Sequence, residues 1–563
     1  MKRPRFEAPL AVALLGLLLY LPALGAADFV GDDEALDAGF VREVASGEWL
    51  FPVFNGDFLP PKPPLFYWLA GLASKATGAV DEWSVRVPSA LFASATLAAT
   101  AACGGWLVGA TPALLAAALL AVMPTFHTQA RIGRADMTMT FFVTTCLLVY
   151  GAVAGELPRG RRWLFHALLG LATLAKGAAA LGLVAFVLAA DAALGRDVRK
   201  LRSLIDPSVL AFLVLGGGWY ALAIAHWGHR FVADNLLGEN LRHFFGGGIG
   251  SGRRTTRNRW HPFAHVIPLF SGTFPWGFLL FPAAAAWWRT PAADRAAGER
   301  FLLVWLGSGF LFFSLAPRKS PYYLLPILPP LALAVASWLW RGLGVSLLDQ
   351  NPWRDIRARP VLVAMALAAS VAALMAVVGK APGPLDALAL ASRERPVLCA
   401  AAAAVLAGSV VAAARAASGH RFGAAAHLGW AAMAAILLLR GVVGGPLART
   451  TSLAPFARLV NERVPADGRI FFLHMSLPKV VFYSGRTIPT IDGSRDPGGS
   501  FYLIVPGAMA DRLPAEWRER ARVTATGRGR VFTRTSMEIR LLLVDSSPRT
   551  SGTSSRERVD EDL

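Results

Sequence analysis

Three acidic residues, Asp32, Asp33 and Glu34, stand directly behind the first apolar segment of the chain. A carboxylate at a membrane boundary is costly unless it reaches water or performs a task, so its default reading is a functional site. Clustered carboxylates in a poorly hydrated pocket repel one another, which raises the pKa of at least one and suits a general base or a metal ligand. The plainer reading is a helix start, since Asp and Glu favour the first turn. The two are compatible, and Asp33 is the favoured catalytic group, with Glu34 beside it. The same stretch continues through Arg42-Glu43, Ser46-Gly47-Glu48-Trp49 and Pro60-Pro61-Lys62-Pro63-Pro64-Leu65-Phe66-Tyr67-Trp68. The proline pairs fix the local backbone and so fix where Lys62 points.

Further groups join these. Asp136, in Arg134-Ala135-Asp136-Met137, falls at the expected outer end of an apolar run, on the side of Asp33. Its alternatives are a second catalytic acid or a partner for Arg131 or Arg134. Lys176 interrupts apolar sequence in a tight turn, where it is a functional candidate or a snorkelling side chain. Arg318 and Lys319 add cations beside Tyr322 and Tyr323, which with Tyr67 are candidates to contact substrate. Acids ringed by positive charge fit attack on a substrate whose leaving group is an anionic phosphate.

The elements that must position these groups are membrane helices. Of 563 residues 55% are hydrophobic and 17% charged, and mean hydropathy is +0.47. Repeated apolar runs of about 20 residues mark a polytopic helical protein, all-α in its membrane part. Spans are expected near 8–25, 86–109, 111–128, 137–155, 163–175, 177–193, 207–227, 263–288, 301–316, 321–340, 360–379, 396–414 and 424–441. Short turns at 109–111 and 175–177 leave the count at about 11–13. The net charge of +19 belongs to basic loops, and no basic stripe lies on a soluble module, so nucleic acid is not an expected partner. Cys103, Cys146 and Cys399 all lie in apolar runs, without metal-ligand spacing.

Short loops carrying Arg159, Arg161 and Arg162, then Arg196, Arg199, Lys200 and Arg202, place the N-terminus in the cytoplasm and the loop 26–85 outside. The loop 228–262 breaks the pattern, being both outside and basic. It is either a solvated loop touching headgroups or a glycine-rich anion clamp in which Arg253 and Arg254 close over a phosphate-bearing lipid. The membrane domain is assigned 1–445. A small extracytoplasmic α/β domain follows at 450–545, with a helix at 455–464, strands at 469–474, 500–506 and 538–545, and helical pieces such as 512–522. A Ser/Thr/Arg/Glu-rich disordered tail is expected at 546–563.

The order Asp33-Glu34, Ser46-Gly47-Glu48-Trp49, Lys62-Pro63-Pro64-Leu65-Phe66-Tyr67-Trp68, Arg134-Ala135-Asp136-Met137, Leu174-Ala175-Lys176-Gly177 and Tyr322-Tyr323-Leu324-Leu325-Pro326-Ile327-Leu328-Pro329 resembles the bacterial relatives of the protein mannosyltransferases. The likeness is strongest to the 4-amino-4-deoxy-L-arabinose transferases that modify lipid A, and Phe482-Tyr483-Ser484-Gly485-Arg486 resembles a family element of the C-terminal domain. The resemblance implies a C-type, multi-span, inverting glycosyltransferase of the bacterial inner membrane. Its donor would be a polyprenyl-phosphate-linked sugar, and its acceptor a lipid A-like glycolipid or another envelope glycan or protein. It implies Asp33 as the base or acceptor-orienting acid and Asp136 as the second acid, with Lys62, Lys176, Arg318 and Lys319 near the carrier phosphate. The family commonly has a metal-associated Glu before the Lys-Pro pair, where this chain has Pro61, which weakens a divalent-metal assignment. The rival reading is a flippase for lipid-linked sugars, which needs charges near the bilayer midplane and related halves.

Overall fold

The computed structural model describes residues 7–29, 31–242, 262–291, 297–316, 319–346, 452–510, 513–531 and 535–546. The chain divides into two compact units, Met1–Arg449 and Thr450–Leu563.

The first unit is helical. In order come α1 (Glu7–Tyr20), α2 (Asp32–Ser46), α3 (Leu65–Thr77), α4 (Glu82–Val108), α5 (Ala110–Ala121), α6 (Pro124–Gln129), α7 (Ala135–Gly151), α8 (Arg159–Lys176) and α9 (Ala178–Gly195). Beyond them lie the helices Val209–Trp227, Gly298–Leu315 and Pro321–Arg341. Among the described residues, α4, α9 and these three are long and apolar enough to cross a membrane. The helices α1, α5 and α7 are apolar but shorter. The expected spans 360–379, 396–414 and 424–441 lie outside the described residues.

Two expected spans are corrected. The run 263–288 is not one straight helix. It breaks into Phe263–Gly272 and Trp276–Arg289, bent by 111°. Pro275 withholds a backbone donor at the bend, and Thr273 closes the first half. The run 111–128 ends as a helix at Ala121, and Pro124 opens α6, because a proline is tolerated in a first turn and not in a helix interior. The loop 26–85 is itself structured, holding α2, α3 and the start of α4.

α4 is the central post, packed on α1, α5 and α7. Asp81 caps it, accepting from the Ser84 amide at 2.8 Å, while the Asp81 amide donates to the Ser84 hydroxyl. Around it a buried core runs from Tyr20 through Leu97, Leu147 and Trp305 to Leu333. Leu10, Leu14, Leu15 and Leu18 of α1 face outward, as a lipid-facing helix requires.

The second unit is α/β. Its sheet has the order β2-β1-β3-β5-β4, with β1 (Ile470–Leu473), β2 (Thr490–Ile491), β3 (Phe501–Pro506), β4 (Ala521–Val531) and β5 (Thr535–Val544). β1 runs parallel to β2 and β3, and β5 is antiparallel to β3 and β4. Phe501, Leu503, Trp517 and Leu542 fill one face. The expected helical piece 512–522 shortens to Ala515–Arg520, and β4 follows at once.

Candidate active site

The acidic cluster opens α2, where the helix dipole favours negative charge. Its members then diverge. Glu34 is buried against Arg86 of α4, with Oε1 2.8 Å from Nε. The same Oε1 accepts from the Gly133 amide at 2.8 Å. The Arg86 guanidinium also donates to the carbonyls of Leu24, Ala27 and Asp28. This knot ties α2, α4 and the turn before α7 together. Asp33 lies half exposed, 3.5 Å from Arg134. Asp37, four residues on and therefore on the same helix face as Asp33, is buried.

Asp37 accepts from the Lys62 ammonium at 3.2 and 3.5 Å and from the Tyr67 hydroxyl at 3.1 Å. Burial pushes its carboxyl above the usual range, against the pull of Lys62 and Arg134. Burial and Arg134 work against the Lys62 ammonium, but Asp37, Asp136 and Asp33 outweigh them and strengthen its hold on its proton. α2 can lie against the loop that follows it because residue 39 is glycine, where a Cβ would meet the Phe54 ring at 2.2 Å.

Asp136, in the first turn of α7, is buried. It is paired with Lys176, the last residue of α8, and lies 3.6 Å from Arg134. A cation at a helix C-terminus also faces the negative end of the dipole. Gly177 adopts φ 69°, a conformation open to glycine, so α8 stops there and α9 departs at once. The Arg134 guanidinium lies 4.4 Å from the Tyr322 ring centroid, and Lys176 lies 5.6 and 5.4 Å from those of Tyr322 and Tyr323.

One end of the bundle thus gathers Asp33, Asp37 and Asp136 against Lys62, Arg134 and Lys176, edged by Tyr67, Tyr322 and Tyr323. Arg134 joins the two expected acids, Asp33 and Asp136, through one guanidinium. Arg131 points elsewhere, onto the carbonyls of Tyr20 and Ala23. Lys319 does not face the cluster's acids. Its ammonium donates to the carbonyls of Phe313, Ser314 and Ala316, closing the end of the Gly298–Leu315 helix. Arg253, Arg254 and Arg318 lie outside the described residues. Asp37 and Arg134 are functional candidates that the sequence reading passed over. The four-residue spacing from Asp33 was the available signal for Asp37.

No group of three or more His, Cys, Asp or Glu side chains among the described residues could hold an ion, and Pro61 offers no side-chain ligand.

The far ends of the same helices carry a second polar layer. Tyr150 of α7 and Arg300 both donate to Asp191 of α9, at 3.2 and 2.7 Å. Arg341 pairs with Glu299 at 2.6 Å. The basic turns at 159–162 and 196–202 lie at this end, remote from the site.

In architecture this is a polytopic helical membrane protein with its charged cluster at one end of the bundle and a separate α/β unit. The same fold is found in the crystal structures of ArnT from Cupriavidus metallidurans. The form bound to undecaprenyl phosphate has a TM-score of 0.70 at 20% identity, covering 96% of this chain and 98% of that one. The apo form has a TM-score of 0.71 at 19% identity, covering 96% and 99%. The family profile described as dolichyl-phosphate-mannose-protein mannosyltransferase matches residues 61–218. An undecaprenyl phosphate-alpha-4-amino-4-deoxy-L-arabinose arabinosyl transferase of Shewanella sediminis is 28% identical over 356 residues, 60% of this chain and 60% of that protein. Its counterpart in Pectobacterium carotovorum is 27% identical over 379 residues, 64% of each chain. The matches thus span about six tenths of the length of these curated relatives. The chain therefore resembles the mannosyltransferase profile over residues 61–218 and the aminoarabinose transferases over about six tenths of its length.

Proposed function

We propose that this protein is an integral membrane glycosyltransferase that moves a sugar from a polyprenyl-phosphate carrier to an acceptor outside the cytoplasm. The acceptor is a lipid A-like glycolipid or another envelope glycan or protein, and the reaction inverts the anomeric centre. The observation that carries this reading is the meeting of Asp33 and Asp136 on Arg134, with Lys62 and Lys176 alongside. Asp33, the most exposed of these acids, orients or deprotonates the acceptor hydroxyl. The new C–O bond forms as the bond from the anomeric carbon to the phosphate oxygen breaks, and the proton passes to the carboxylate. A single displacement inverts the centre. Lys176 and Lys62 stabilise the charge that builds on the departing phosphate, and Asp136 holds Lys176 in place. The arginine-rich turns at the opposite end of the bundle support an inner-membrane orientation with the site outside.

The test is Asp33→Asn, and separately Asp33→Ala, assayed for consumption of carrier-linked sugar in membranes. Loss of transfer is expected, and full residual activity would remove Asp33 from the mechanism. The same protein in liposomes separates the reading from its rival, since carrier movement without bond cleavage marks a flippase. Mass spectrometry of envelope glycoconjugates with and without the protein identifies the sugar and the acceptor.

A further inference from the structure

Asp37 has no part in the transfer step above, yet its burial is costly. A carboxylate taken out of water with one cation often adds no more stability than an apolar pair of similar volume. Its side chain is 1% exposed, whereas that of Lys62 is 18% exposed. The ammonium therefore faces the cluster, and the carboxylate lies behind it. Tyr67 holds the carboxylate from a second side. Asp37 meets the cluster through Lys62 and Tyr67.

The chemistry of the proposed donor supplies a task for such a group. A glycosyl phosphodiester carries one negative charge. The monoester left after transfer carries about −1.5 to −2 at pH 7. Cations placed to stabilise the departing phosphate therefore hold the product more tightly than the substrate, and turnover stalls unless something draws them back. Among the described residues the cluster's acids match its cations one for one, so each cation already has an alternative partner.

We propose that Asp37 is a positioning residue that competes with the carrier phosphate for Lys62 and so sets the rate at which the spent carrier leaves. Lys62 passes from Asp37 to the phosphate as charge builds on it, then returns to Asp37 as the monoester departs. No bond beyond those of the transfer reaction forms or breaks. This inference rests on the donor reading above.

The experiment measures binding of undecaprenyl phosphate to the full-length protein in nanodiscs, with turnover kinetics alongside. Asp37→Asn is expected to bind it about tenfold more tightly, since removing a like charge favours the bound anion. In turnover, KM for the donor and kcat fall together, and added undecaprenyl phosphate inhibits more strongly. Asp37→Glu restores wild-type affinity. The tightening disappears in a Lys62→Ala background. Tyr67→Phe leaves Asp37 to Lys62 alone and weakens binding about threefold, opposite in sign to Asp37→Asn, which damage to the fold would not produce. Wild-type binding with an unchanged or weakened Asp37→Asn would overturn the role of Asp37 and leave the donor reading standing. Tightening that persists without Lys62 would overturn it equally. Should Asp37→Asn fail to fold, an unchanged Tyr67→Phe serves the same end. No binding by the wild type overturns the donor reading and this inference with it.

Discussion

Glu34 and Asp33 are neighbours in sequence with opposite fates. Glu34 is buried in a knot of hydrogen bonds with Arg86, so removing its charge leaves a buried guanidinium without its counter-ion. Glu34→Gln is expected to cost about 3–5 kcal/mol of stability, seen as a large fall in thermal midpoint in detergent. Asp33 makes a longer, half-exposed contact with Arg134, of a kind worth about 1 kcal/mol or less. Asp33→Asn is expected to keep the midpoint and to slow transfer about 10²–10⁴-fold, the share of a general base. Asp33 and Asp136 could be picked out of the sequence because an acid beside a membrane run is expensive. That Glu34 is buried on an arginine while Asp33 stays half exposed could not be, because it depends on Arg86, 52 positions away. Lys319 was equally opaque, since a cation beside tyrosines looks the same in sequence whether it faces a ligand or the end of its own helix.

Elements set how closely these groups are held. α2 carries Asp33, Glu34 and Asp37, and its seat depends on Gly39 against Phe54. Gly39→Ala is expected to cost about 1–3 kcal/mol through overpacking and to reduce transfer as the helix shifts. At the opposite end, Lys200 lies 3.8 Å from the Tyr150 ring centroid. Burial pushes its pKa down from 10.5 to about 8, against the pull of Asp191. The unfolded chain then holds the Lys200 proton up to about 10.5, while the folded protein releases it above about 8. The unfolded state binds more protons in that window, so stability is expected to climb between these pH values. The penalty is fully present below them. Thermal unfolding of Lys200→Met should lack this part of the climb. Hydrophobic runs alone revealed the long helices. They did not reveal the 111° bend, because composition is apolar on both sides of it, although Pro275 was a legible breaker. Strand β4 was hidden because its Ala and Gly residues carry little strand propensity, and its place is set by pairing with β5.

For the whole molecule, the arrangement of the first unit makes a claim about sidedness. The cluster and the arginine-rich turns lie at opposite ends of α7 and α9. Reporter fusions within 26–85 are therefore expected to report the periplasm, and fusions at 196–202 the cytoplasm; the same side for both would dismantle the proposed orientation. The second unit has its own core around Trp517. Residues 450–546 produced alone are expected to unfold cooperatively, and Trp517→Ala to cost that fragment about 3–5 kcal/mol by calorimetry. The division into a helical unit and an α/β unit was readable because hydropathy falls sharply near residue 450. How the membrane helices bring the acids to one end was not readable, since it depends on contacts between segments far apart in the chain.

Among the described residues, the one-for-one matching of acids and cations around Arg134 has a kinetic corollary. A chamber with almost no net field exerts little pull over distances beyond a Debye length, about 8 Å at physiological ionic strength. For the proposed lipid-borne donor, encounter then follows lateral diffusion in the bilayer rather than ionic steering. Bulk acidic phospholipids, which share the phosphate but not the sugar, find no standing attraction there.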